Sequence, residues 1–249
     1  MASDDGRAQV QLDEDILARR RRDLGEDHPD TLAAASNLAV SLRAVGGLPG
    51  TLTSFPGSLA SSLHRGEQQA ARELDEDTLA RRRRVLGEDH PDTLASAHGL
   101  AISLRAVGEH QAARELGEDT VARRRRVLGE DHPDTLTSAD NLALILGRVG
   151  EHRAARELAE DTLARRRRVL GEDHPDTLTS AFILAGALFE LGEYQAAREL
   201  NEDILARRRR VLGEDHRDTG ASATFAIFLR TPQPLLKTLG WVSRRRRAG

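Results

Sequence analysis

Apolar positions along this chain alternate between two kinds of segment. In LASAHGLAISLRAVG (94–108), LTSADNLALILGRVG (136–150) and LTSAFILAGALFELG (178–192), leucine, alanine and isoleucine recur at helical spacing over most of the length. The segments between them are dense in charge and keep only a thin apolar stripe. In EHQAARELGEDTVARRRRVLG (109–129) that stripe is Ala113, Leu116, Thr120 and Val121, then Val127 and Leu128. Nowhere does the strict two-residue alternation of a half-buried strand appear. The pattern predicts an all-α chain of alternating apolar "first" helices and charged "second" helices. Pro91, Pro133 and Pro175, each followed by aspartate, suit the first helical position. Gly108, Gly150 and Gly192 suit the stop of a first helix, and Gly129 that of a second.

The pattern is periodic. RRRRVLGEDHPDTL stands at 81–94, 123–136 and 165–178, with variants at 19–32 and 207–220. Its histidines, His28, His90, His132, His174 and His216, are separated by 62, 42, 42 and 42 residues. A fixed period of this size marks a helical array. The reading is an array over 1–230: a second helix at 7–24, units near 29–46/67–86, 91–128, 133–170 and 175–212, and a degenerate first helix at 218–230. The long step holds an irregular insert, 47–66. It reads as an eroded extra first helix, broken at Phe55-Pro56-Gly57, and is expected to be a loop with at most a short helix near 58–64. Residues 231–249, with Leu235, Leu236, Leu239, Trp241 and Val242 before Arg244–Arg247, are expected to be a C-terminal cap and an arginine-rich tail.

Leu100, Ala101, Gly108 and Ala113, followed by the LGEDHPDT turn at 128–135, resemble the tetratricopeptide repeat, in the longer form found in kinesin light chains and in many bacterial proteins. The resemblance covers most of 7–230. It implies a right-handed superhelix of antiparallel helix pairs, with first helices lining a concave groove that typically binds peptides. The chain departs from that family at Arg81, Arg123, Arg165 and Arg207, where an apolar residue is usual, and at His110 and His152, where an aromatic is common and Tyr194 keeps it. No coiled-coil heptads and no G-x-x-x-x-G-K-[ST] loop accompany the repeats, so neither motor attachment nor a nucleotide switch is carried over.

Charge decides how the arginine tracts are read. Net charge is −3, and the unit 109–150 holds six arginines against eight acids. An aspartate stands four residues before each tract (Asp15, Asp77, Asp119, Asp161, Asp203), the favoured order for helix ion pairs. Four consecutive helical residues also sweep about 300°, which makes no flat basic stripe. The tracts are therefore read as solvated, self-neutralised outer helices. Weak nucleic-acid binding through them stands as an alternative function. Lys237 is the only lysine, so arginine here is a compositional habit rather than a signal.

Candidate chemistry is sparse. There is no cysteine, hence no thiolate nucleophile and no zinc–cysteine site. The HPD histidines stand a full repeat apart and read as helix starts rather than metal ligands. No catalytic residue, metal or cofactor is assigned, and the chain is read as a non-enzyme. MASDDGRAQV is no secretory signal, and the longest apolar run, AFILAGALF (181–189), is far short of the ~20 residues a membrane helix needs, so a cytoplasmic protein is expected. First helices vary between units more than second helices do, which places function on them. The candidate groove contacts are Asn37, Arg43, His98, Arg105, Asp140, Asn141 and Arg148, with Phe182 and Phe189 as an apolar anchor. In arrays that this one resembles, asparagine at Asn37 and Asn141 often holds a ligand's backbone or terminal carboxylate. The partner is then a peptide or protein. Self-association through the N-terminal helix is a further expectation, and a truncated or degenerate fragment without its own partner is the other alternative.

Overall fold

The structure, a computed structural model, describes residues 2–45 and 59–230. Among these there are ten α-helices and no strand. The chain divides into two compact units, Met1–Ile145 and Leu146–Gly249. In the first, α1 (Ala2–Leu24), α2 (Pro29–Val45), α3 (Leu59–Leu86), α4 (Pro91–Val107) and α5 (His110–Leu128) pack each on the next, and most of α6 (Pro133–Val149) follows. In the second, α7 (His152–Leu170), α8 (Pro175–Glu190), α9 (Tyr194–Leu212) and α10 (Arg217–Arg230) do the same. Packing of consecutive helices in this way is typical of a tetratricopeptide-repeat solenoid.

Each first helix starts where the sequence places it, and the repeated histidine starts it. His90 Nδ1 accepts the backbone N–H of Asp92 at 3.1 Å, and His174 Nδ1 that of Asp176 at 3.2 Å. His28, His132 and His216 make the same bond. The ring nitrogen thus satisfies one of the donors a helix leaves open, with proline in the first turn, where no donor is needed, in all but α10, which begins with Arg217. Second helices end on a different device. Gly129 has φ 97° and ψ 161°, a region open in practice only to glycine. An added Cβ there would meet no atom within 4 Å. Gly129→Ala is therefore expected to lower stability by about 1–2 kcal/mol through backbone strain alone, seen as a lower denaturation midpoint with unchanged helix content. An unmoved midpoint would mean that the turn relaxes.

The core is built from leucine and alanine. Leu17, Ala34, Ala35, Leu38, Ala39, Leu42 and Ala71 form one cluster, and Leu79, Ala97, Leu100, Ala101, Leu104, Ala113 and Ile145 form another. Ala39 and Ala71 are fully buried, and small residues there allow helices to approach closely.

One expectation is corrected. Residues 59–66 are neither loop nor a separate short helix; they are the first turns of α3, which runs unbroken to Leu86. The breaker Phe55-Pro56-Gly57 lies upstream of them, and Gly66 alone costs a helix only about 1 kcal/mol relative to alanine. The rest of the insert and the cap and tail at 231–249 lie outside the described residues.

Candidate protein-binding surface

The arginine tracts, the most conspicuous feature of the sequence, are internal structure. In 81–84, Arg81 Nε donates to Asp77 Oδ2 at 2.7 Å and its Nη1 to Asp27 Oδ1 at 3.1 Å. Arg84 Nη2 reaches both oxygens of Asp27 at 2.6 Å, and Arg83 pairs with Glu88 at 3.1 Å. Hydrogen bonding from Arg81, joined by Arg84, holds the Asp27 carboxyl below its usual range. Arg82 differs from the others. It is buried, and its Nη1 donates to the Asp92 carbonyl at 3.0 Å and to Ser96 Oγ at 2.8 Å. Arg124 repeats this with Asp134 and Ser138, Arg208 with Asp218 and Ser222, and Arg166 with the Asp176 carbonyl. Burial pulls the pKa of Arg82, Arg124 and Arg208 down, against Asp92, Asp134 and Asp218, which pull it up. The reading of wholly solvated tracts is corrected accordingly. The second arginine of each of these tracts is a buried strut that ties a second helix to the start of the next first helix. It can be buried because every acceptor it meets is polar and fixed.

The candidate contacts fall into four situations. Asn37 on α2 and Arg148 at the end of α6 are exposed, as a ligand contact needs. Arg43 is already engaged: its guanidinium contacts Asp75 Oδ2 and donates to Ser103 Oγ at 3.0 Å, joining α2, α3 and α4. Burial raises the Asp75 pKa, opposed by Arg43 and Ser103. His98 and Arg105 are half-buried, and His98 Nδ1 lies 3.2 Å from Ser138 Oγ. Asp140 and Asn141 are buried at 5% and 7% exposure, so they lie beneath the surface rather than on it. The helix rotates those positions towards its neighbours, and the position three residues beyond Asn141 emerges instead.

That position carries the signal that sequence reasoning passed over. Val40 and Leu144 are exposed at 55% and 39%, and Ile102, their counterpart on α4, is partly exposed. In the first unit, α2, α4 and α6 thus each offer one apolar side chain at the same place in the repeat. Beyond the first turn these helices carry no exposed carboxylate among the unit's residues, for Asp140 is buried. Their second-helix neighbours are dense in charge.

In the second unit, Phe182 and Phe189 do not stand alone. Phe225 lies 5.6 Å from Phe182 and 6.0 Å from Phe189, ring centroid to centroid; Tyr194 and Phe228 each lie 5.2 Å from Phe189. The Arg208 guanidinium sits 5.0 Å from the Phe182 centroid. The group holds four of the five phenylalanines and the one tyrosine, in the edge-on and tilted arrangements that aromatic rings favour. It joins α8 to α10, so Phe182 and Phe189 pack between neighbouring first helices. Tyr194 keeps 40% of its surface exposed.

Among the described residues, no group of three or more histidines or acids could hold a metal ion, and no helix is long and apolar enough to cross a membrane.

A family profile described as "Tetratricopeptide repeat" matches residues 57–126 and 100–168, and another of the same description matches 177–218. Among curated proteins none matches the chain. Among solved structures, the chain is similar to the crystal structure of a Podosopora anserina putative kinesin light chain with nearly identical TPR-like repeats. The two are 31% identical over 82% of this chain and 88% of that one, with a TM-score of 0.61. A glutamine-to-methionine variant of that protein gives 31% identity, 82% and 87% coverage, and a TM-score of 0.64. BtubC (BKLC) from P. vanneervenii shares the fold at a TM-score of 0.64 over 94% of this chain and 84% of that one, at 17% identity.

Proposed function

Because the chain belongs to the tetratricopeptide-repeat family, whose members are generally non-catalytic protein-interaction scaffolds, we propose that it is a cytoplasmic scaffold that binds a peptide or a segment of a partner protein on the first helices of its N-terminal unit. The observation that carries this reading is the series Val40, Ile102 and Leu144, one per repeat, of which Val40 and Leu144 are exposed and Ile102 partly so. Apolar side chains at the same place in successive repeats, on helices without exposed carboxylates beyond the first turn, suit a partner segment with its own apolar side chains. Asn37 beside Val40 and the half-buried Arg105 on α4 supply polar contacts for that segment's backbone or terminal carboxylate. The arginine tracts are not part of this reading, since most of their cations are met by the repeat's own acids and carbonyls.

The test starts with capture from a nuclease-treated host lysate, comparing wild type with a Val40→Glu/Leu144→Glu variant. Peptides tiled across each captured protein are then titrated against both forms. At least tenfold weaker peptide binding by the variant, with unchanged helix content, supports the reading. Equal affinity for both forms places function elsewhere.

Self-association through α1 rests on a separate observation. Ile16 is 37% exposed, whereas Thr78, Thr120, Thr162 and Ile204, at the same place in the other second helices, are 1% exposed; Leu12 is exposed one turn before it. Ile16→Asp should then shift mass measured by light scattering towards the monomer. A mass unchanged by the substitution rejects this interface.

A further inference from the structure

One buried position sets the repeats apart where they are otherwise nearly identical. The second helices read QLDED, ELDED, ELGED, ELAED and ELNED, so the middle residue is Asp13, Asp75, Gly117, Ala159 and Asn201. All five are buried. Their partners vary in step. Asp13 Oδ2 accepts from Ser41 Oγ at 2.5 Å, and Asp75 Oδ2 from Ser103 Oγ at 2.6 Å. At Gly117, a Cβ would meet Leu142 at 3.2 Å and Ile145 at 3.6 Å. In each case the partner, Ser41, Ser103 or Ile145, stands 28 residues further on, at the same place on the following first helix. Asn201 makes a third kind of seam, with its Nδ2 donating to the Ser222 carbonyl at 3.0 Å.

We propose that this residue is a pairing determinant, which makes each second helix accept its own following first helix and reject another repeat's. The need for one is physical. The leucine beside it, Leu38, Leu100, Leu142 or Leu184, is the same in all but the last repeat, which has Ala226, so the remaining packing discriminates poorly. A chain of like repeats can pair out of order, or exchange helices with a second copy. The seams oppose this. If α3 received α6, the Asp75 carboxylate would be buried against Ile145 with no hydroxyl to meet it. If α5 received α4, Ser103 would be buried without an acceptor and a void would replace the Ile145 side chain. Asp13 and Asp75 both use a serine, but only Asp75 is also held by an arginine, Arg43, from the first helix before it.

The test rebuilds one seam as another. Gly117→Asp and Ile145→Ser are made singly and together. Each single variant is expected to melt about 5–10 °C below wild type. The double variant is expected to recover to within about 3 °C of it, because the new carboxylate and hydroxyl can pair as Asp75 and Ser103 do. A double variant whose loss equals or exceeds the sum of the single losses overturns the proposal. If Gly117→Asp does not fold, the comparison of Ile145→Ser with the double variant decides in the same way. Pairing choice has its own readout. The double variant carries three Asp–Ser seams, α1/α2, α3/α4 and α5/α6, where wild type has two, so refolding at high concentration should give a larger share of species above wild-type mass on size exclusion. An unchanged share would reduce the position to local packing and also overturn the proposal.

Discussion

Arg124→Ala is expected to lower the unfolding free energy by about 3 kcal/mol, whereas Arg126→Ala, two residues away in the same tract, should cost about 1 kcal/mol or less. Arg124 is 4% exposed, and its Nη1 donates to the Asp134 carbonyl at 2.6 Å and to Ser138 Oγ at 2.8 Å. Truncation removes both bonds and a long aliphatic stem from a packed interior, and strands the polar atoms that it served. Arg126 holds Asp89 at 2.6 and 2.7 Å, but 63% of its side chain is exposed. Water and salt compete for such a pair, so its loss matters little. Denaturant titration of both variants checks the contrast. Equal losses would mean that the tract acts as one surface charge cluster, as the sequence alone suggests. Arg124 also lowers the His98 pKa, so its removal should raise that pKa.

His98 sets the second large effect, a loss of stability on acidification. Its pKa is pushed down from 6.5 to about 4, by burial first and then by Arg124, Arg43 and Arg105, with Asp134 opposing. The folded-state value lies below the unfolded one, so between them the unfolded chain binds the extra proton. Stability from the neutral ring is complete above about pH 6.5, falls as pH drops towards 4, and changes no further below that. The shift corresponds to about 3 kcal/mol across that window. Unfolding free energies of wild type and His98→Asn, measured from pH 7 to 4, check this. Carboxylates titrate in both forms, so only the difference counts. It should change by that amount over the window, and a constant difference would show that the ring is solvated and carries no linkage. The other repeats hold Ser36, Asp140, Phe182 and Thr224 at this place, so the effect belongs to one site.

The candidate surface was less legible in the sequence than the fold. Asn37 and Arg148 emerge at the surface, yet Asp140 and Asn141, chosen because they vary between repeats, vary beneath it. Variation among repeats marks positions that differ in what they touch, and a neighbouring helix is as good a cause as a ligand. Asp75 and Ser103 were overlooked because they look like ordinary surface residues. The readable signal was the joint change from Asp and Ser to Gly and Ile at a fixed 28-residue separation.

By itself the sequence determined the helices and most of their ends, though not the start of α3 at Leu59. The 42-residue period, the His-Pro-Asp starts and the glycine stops act within a few residues of chain, so local chemistry specifies them. It also determined the ion pairs four residues apart, such as Asp119 with Arg123 at 2.8 Å. Only the tertiary structure decided which of four identical arginines is buried and which residue of a first helix reaches solvent. Those outcomes depend on how far each helix is rotated against its neighbours. A helical stripe says which residues share a face, but what covers that face is set by another part of the chain.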